Sequence, residues 1–269
     1  MAKSTFREYG SGMAIRNGEK IYVVEERIAH GKFGETFACW DEEDRARILQ
    51  IVWPFSRSYE NVRERWARQA AELRQVEHSC LVPLLDAFEH EGGFHLVHER
   101  CDGRLDHAIT SPDWDGDRSL LEVARPVLQA LGHVHGNGYT HRNLHPRNVF
   151  RTSQGVKLGD LAANTLLGNI DVLNAKIPRW LVPPEYLSPS ECGPMDHRVD
   201  VYQVGLLLLC VLRGRIVQYS FEEISIGLPA KEATALECGP AAAIARALQP
   251  RVLDRFDSAA DCWEALAGS

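Results

Sequence analysis

Two histidines four residues apart, His141 and His145, stand in the run His141-Arg142-Asn143-Leu144-His145-Pro146-Arg147-Asn148. On a helix this spacing puts both imidazoles on one face, the arrangement of a zinc hydrolase, with His135 as a third donor. Such a site needs a general-base carboxylate beside the first histidine, and Arg142 stands there instead. Pro146 argues for a loop rather than a helix. A second stretch is Ala29-His30-Gly31-Lys32-Phe33-Gly34. A glycine turn between strands lets a backbone approach phosphates, although a lone copy also reads as an ordinary hairpin. No strand–turn–helix pattern follows it, which argues against a dinucleotide fold. Asn148 and Asp160 supply oxygen donors of the kind that suits Mg²⁺; local hydrogen bonding is their plainer role. The seven cysteines are widely spaced, odd in number and without a CxxC pair. They read as free thiols of a reducing compartment.

These residues need a scaffold. Ile21–Ala29 and Glu35–Cys39 read as strands flanking the glycine turn, and Arg47–Trp53 as another. Tyr59–Glu77 has helical composition with no Pro or Gly inside it. Leu81–Glu89 and Gly93–Glu99 read as two further strands. Leu120–Gly136 has helical spacing of apolar residues despite Pro126, and Val199–Leu212 is apolar all round, as a buried central helix would be. Ala241–Leu248 and Ser258–Leu266 complete the helices. Strands first and helices afterwards imply an α+β chain.

Composition bounds the rest. At 269 residues, 45% hydrophobic and 25% charged, the chain has the balance of an ordinary globule large enough for one domain or two lobes. A net charge of -7 gives no electrostatic reason to expect nucleic acid as a partner. No signal peptide is evident near Met1, and the most apolar run, Val204–Leu212, is too short to span a bilayer core of about 30 Å. A cytoplasmic location is expected.

The order of the motifs carries more than any one of them. After His141–Asn148 come Lys157-Leu158-Gly159-Asp160-Leu161-Ala162, then Pro183-Pro184-Glu185, then Asp200-Val201-Tyr202-Gln203-Val204-Gly205, and finally Asp254-Arg255-Phe256. These resemble the HRDxxxxN, DFG and APE signatures of protein kinases, the start of the buried helix of the kinase C-lobe, and the late arginine that pairs with the APE glutamate. The resemblance covers residues 20 to 266 and is greatest to bacterial relatives of eukaryotic Ser/Thr kinases. It implies a bilobal α+β fold, with an antiparallel N-lobe sheet plus a C-helix and a mainly helical C-lobe. Residues 1–19 would be an extension, 20–100 the N-lobe and 101–269 the C-lobe. His141, Arg142, Glu185, Asp200 and Arg255 would be structural, and Leu73, Leu161 and His141 would line a spine anchored on Asp200.

The positions that would handle charge depart from the family. Gln50 stands at the strand lysine, Gln69 at the helix glutamate, Asn143 at the catalytic aspartate and His145 at the catalytic-loop lysine. An amide cannot take the proton of a substrate hydroxyl as a carboxylate does, and a histidine is largely neutral at pH 7. The adenine positions are also altered: Ile48 and Phe150 are bulkier than the alanine and leucine the resemblance implies, with Thr36 at the valine. His98 is the gatekeeper position, followed by Glu99, Arg100 and Cys101. Between Asp160 and Glu185 the one hydroxyl residue is Thr165, and Pro178 stands where an activation threonine often lies. The implied function is that of a degenerate kinase, or pseudokinase, that binds protein partners as a scaffold or allosteric module, without a nucleotide or metal cofactor. The alternative is a weakly active or atypical ATP-dependent Ser/Thr kinase. In it Gly31, Gly34, Ile48, Glu99, Cys101 and Phe150 would surround ATP, Asn148 and Asp160 would hold Mg²⁺, and Lys32 would supply the missing positive charge.

Overall fold

The computed structural model describes residues 9–31, 34–53, 59–168 and 181–269. Their contacts divide into two compact units, one of residues 1–75 and 83–100, the other of residues 76–82 and 101–269.

The first unit is a six-stranded antiparallel sheet in the order β1-β2-β3-β4-β6-β5, with β1 Ala14–Asn17, β2 Lys20–Gly31, β3 Gly34–Trp40, β4 Ala46–Val52, β5 Leu84–His90 and β6 Gly93–Glu99. Helix α1, Tyr59–Leu73, packs against β5. The apolar runs of the sequence fall on these elements with ends shifted by a few residues. β1 lies within the stretch read as an extension: four residues with one apolar side chain facing inward are too short to show a period. Ile15 of β1 is fully buried and joins Tyr9, Tyr22, Val24, Phe37, Leu49 and Val97 in one core.

The sheet curls until its two ends meet. Asp86 on β5 accepts hydrogen bonds from Asn17 Nδ2 (3.0 Å) and Tyr22 Oη (2.8 Å), and Lys20 Nζ lies 3.4 Å away. The Tyr22 ring stacks on Phe88, with centroids 5.8 Å apart. Burial alone would raise the Asp86 carboxyl, but the bonds from Asn17 and Tyr22 and the charge of Lys20 outweigh it and hold the group below the usual carboxylate range.

In the second unit, β7 (Gly103–Arg104), β8 (Val149–Thr152) and β9 (Gly155–Leu158) form a small antiparallel sheet. The segment Val76–Val82 joins it: Leu81 bridges Leu158, and Leu158 donates its N–H to the carbonyl of Cys80 at 2.8 Å. Helices α2 (Leu105–Ile109), α3 (Gly116–Gly136) and α4 (Leu161–Gly168) follow in chain order among these strands. Pro126 lies inside α3 without ending it. The missing N–H and ring clash cost about 3 kcal/mol, and each buried leucine or valine of that helix returns about 1.5–3 kcal/mol. Eight residues of α3 are buried. The helix Arg198–Arg213 is buried at every position from Val199 to Val211, which explains its lack of a polar face, and it stops at Gly214 in the left-handed conformation. Further short helices run from Pro184 to Ala267, among them Ala241–Ala247 and Ala259–Ala267.

Candidate functional site

The loop from His141 to Asn148 takes its shape from a buried carboxylate. Asp200, near the start of the Arg198–Arg213 helix, is fully buried. It accepts the backbone N–H of His141 (2.8 Å) and of Arg142 (2.6 Å), and His135 Nε2 lies 2.8 Å from its Oδ2. Gln203, one turn further on, accepts the N–H of Leu144 at 2.9 Å and donates to the carbonyls of Arg142 (3.0 Å) and Leu181 (3.2 Å). These bonds hold Arg142 in the left-handed region, at φ 62°. A non-glycine residue persists there only where its surroundings fix it. His141 turns its ring inward, with Nε2 2.8 Å from the carbonyl of Gly159.

The loop's amides are engaged locally. Asn148 donates its Nδ2 to the carbonyl of Asn143 at 2.9 Å, and its own carbonyl accepts the N–H of Gly159 at 2.8 Å. Asn143 donates to Oδ1 of Asn164 on α4 at 3.1 Å, with both side chains buried. Asp160 sits at the junction of β9 and α4 in the left-handed region, at φ 66°, and its carbonyl accepts the N–H of Asn164 at 3.0 Å.

His145 caps the turn Pro146–Asn148 by accepting the Arg147 N–H on Nδ1 at 3.2 Å. Burial, together with the charge of nearby His141 and Arg147, pushes its imidazole down to about 3. It is therefore neutral at pH 7. Arg147 lies 3.4 Å from Asp106, which Arg104 grips with two bonds of 2.9 and 2.7 Å.

The three histidines considered as zinc ligands go to separate partners: His135 to Asp200, His141 to Gly159 and His145 to Arg147. Among the described residues no three His, Cys, Asp or Glu side chains are grouped to hold a metal ion.

Phe150 on β8 is half-buried, and its ring lies over Gly159. A Cβ on residue 159 would come within 2.6 Å of the ring, so the large residue at 150 requires the absence of a side chain at 159. Ile48 belongs to the first unit, on β4, paired with Ala38 and His98. Gln50 lies on the same strand opposite Thr36 and Leu96, and Gln69 on α1; both are half-buried. Glu99 ends β6 and Cys101 begins the second unit's longer segment. The glycine turn closes with Gly31 opposite Gly34. Gly34 is fixed by packing, because a Cβ there would run into the carbonyl of Ile51 on β4. Lys32 and Pro178 lie outside the described residues.

Glu185 and Arg255, paired in the sequence reading by resemblance, meet in the structure. Sequence reasoning missed Asn164, Gln203 and the role of Gly159. Asn164 belongs to no motif, Gly159 and Gln203 lie within the Lys157–Ala162 and Asp200–Gly205 motifs without a role implied for them, and each is defined by a partner elsewhere in the chain. The bulk of Phe150 was a signal that a compensating small residue should exist nearby.

The model of the protein kinase domain matches residues 22–232. The serine/threonine-protein kinase pkn3 of Myxococcus xanthus is 28% identical over 205 residues, covering 72% of this chain and 38% of the relative. PrkC of Bacillus subtilis is 26% identical over 223 residues, covering 81% of this chain and 31% of the relative. The chain thus spans less than half the length of either. The crystal structure of the PknI kinase domain of Mycobacterium tuberculosis superposes with a TM-score of 0.68 at 19% identity, over 97% of this chain and 99% of that one. Among the described residues no helix is long and apolar enough to cross a membrane. A match over most of the chain, joined to the fold and the loop anchored on Asp200, means that the chain belongs to the protein kinase domain family.

Proposed function

We propose that this chain is a pseudokinase: a kinase-fold module that binds protein partners as a scaffold or allosteric element and performs little or no phosphoryl transfer. The observation that carries the reading is the state of residue 143. Where a catalytic loop needs a carboxylate to accept a proton, the chain has a buried amide that donates to Asn164. Two further replacements support it, since Gln50 carries no charge and His145 is neutral at pH 7. A general base contributes about 10²–10⁴-fold, and a preorganised positive donor about 10²–10³-fold. Kinases turn over at about 1–100 s⁻¹, so these losses leave transfer slower than most cellular events, although such effects do not combine additively. Ile48 and Phe150 are each bulkier than the residue the family resemblance implies at an adenine position, and the Phe150 ring is seated on Gly159. The reading goes with a cytoplasmic location and needs neither nucleotide nor metal.

One observation favours a second reading, a weak ATP-dependent Ser/Thr kinase: Asn148 and Asp160 are kept. An amide oxygen and a carboxylate would fit Mg²⁺ only together with nucleotide phosphates, because that ion keeps an octahedral oxygen shell. Thermal-shift titration with millimolar ATP and Mg²⁺ separates the two readings, since a ligand raises stability by mass action. The pseudokinase reading expects no shift. Phosphorylation of a generic protein substrate, abolished by Asp160→Ala, overturns it.

A further inference from the structure

The catalytic loop is joined to the start of the following segment by one side-chain bond that no motif accounts for. Helix α4 begins immediately after Asp160, and its residues Leu161, Ala162, Ala163 and Leu166 are buried. Asn164 lies among them at 5% exposure. An amide in such surroundings is costly unless it is hydrogen-bonded. Its described partner is Asn143, itself 8% exposed, which donates Nδ2 to Asn164 Oδ1 at 3.1 Å. The other two polar atoms of the pair, Asn143 Oδ1 and Asn164 Nδ2, are buried without a hydrogen-bond partner among the described residues. Turning both amides over would preserve one bond in the opposite sense. Among the described residues, each side chain's hydrogen bond is therefore to the other.

We propose that α4 is a plug seated on the catalytic loop, and that Asn143 and Asn164 are the latch that holds it. The residue that removes the catalytic base also supplies the donor for this bond, so the position a substrate hydroxyl would approach is occupied by the chain itself. This deepens the pseudokinase reading by naming what closes the loop's face. Its test reads the helix rather than phosphoryl transfer, so either idea can fail without the other.

The latch needs at least one donor, a requirement that isosteric variants isolate. In Asn143→Asp the carboxylate accepts from Asn164 Nδ2. In Asn164→Asp the carboxylate accepts from Asn143 Nδ2. In Asn164→Leu, close in volume, neither a donor nor an acceptor faces Asn143. Hydrogen exchange of the α4 amides, followed by mass spectrometry on the full chain, reads opening of this helix locally. Each aspartate variant should exchange within about twofold of the parent, whereas Asn164→Leu should exchange about tenfold faster, as expected for loss of one buried hydrogen bond. A leucine variant as protected as the parent overturns the proposal, as does an aspartate variant as open as the leucine one. If the leucine variant fails to fold, Asn164→Ala and Asn164→Asp are compared. Faster exchange in the alanine variant alone supports the latch, and equal exchange in the two overturns it.

Discussion

Glu185 and Arg255 meet through two parallel N–H···O bonds, 2.8 and 2.6 Å long, with no exposed surface on either side chain. The guanidinium spends its remaining donors on the carbonyls of Gln249, Arg198 and Pro250 at 2.8, 3.2 and 3.1 Å, and its Cζ lies 4.8 Å from the centre of the Tyr202 ring. Every charge of the pair is answered, so the cost of burying it is met only while both partners are present. Arg255→Met should therefore lower unfolding stability by about 3–5 kcal/mol, and adding Glu185→Leu should recover part of that loss. Urea unfolding of the two variants checks this. Equal stabilities would show that the Glu185 charge finds another partner.

Asp200→Asn tests the anchor of the catalytic loop. The carboxylate receives two backbone N–H groups and lies against His135, and an amide would turn an NH₂ toward at least one of these donors. Hydrogen bonds to a charged acceptor contribute about 1.5–3 kcal/mol each, so a loss of about 3 kcal/mol or more is expected in denaturant melts. His135→Phe removes one contact only and should cost less.

Phe150 and Gly159 should behave as a coupled pair. Gly159→Ala drives a methyl group into the Phe150 ring, an overpacking expected to cost about 1–3 kcal/mol. Phe150→Leu in the same chain should relieve most of it, giving a coupling energy well outside the error of a double-mutant cycle. Additive losses would place the strain elsewhere.

Acid should weaken the fold well above the range where carboxylates titrate. Burial lowers His145 to about 3 and His95 to about 4, against about 6.5 in the unfolded chain. Between these values the unfolded state binds more protons than the folded one, so stability is complete above pH 6.5 and is lost as the pH falls toward 4. Each histidine contributes on the order of 1 kcal/mol per pH unit over that span. Urea midpoints measured from pH 7 to pH 5 should fall steadily, and His95→Gln should flatten part of the slope.

The scaffold was legible because it repeats simple periods. The short apolar runs that became strands of the first unit and the longer one that became the Arg198–Arg213 helix both follow from burial. The anchors Asp200, Glu185 and Arg255 were legible only by resemblance, since nothing local in the sequence says that they meet. Strand β1 escaped because its role depends on Asp86, some seventy residues later in the chain. α4 escaped because Leu161–Gly168 has too few turns to display an amphipathic face, and Asn164 has no meaning without Asn143 beside it.

The closure of the sheet through Asp86 bears on where the folding unit begins and ends. The family match starts at residue 22, yet Tyr9 and Ile15 are buried in the core and Asn17 answers the Asp86 carboxylate. The match stops at residue 232, yet Glu185 depends on Arg255. A chain trimmed to those limits would uncover Tyr22 and Val24 on one side and strand a buried carboxylate on the other. Family boundaries mark what relatives share in sequence, whereas in each unit the partners of a buried charge lie beyond them.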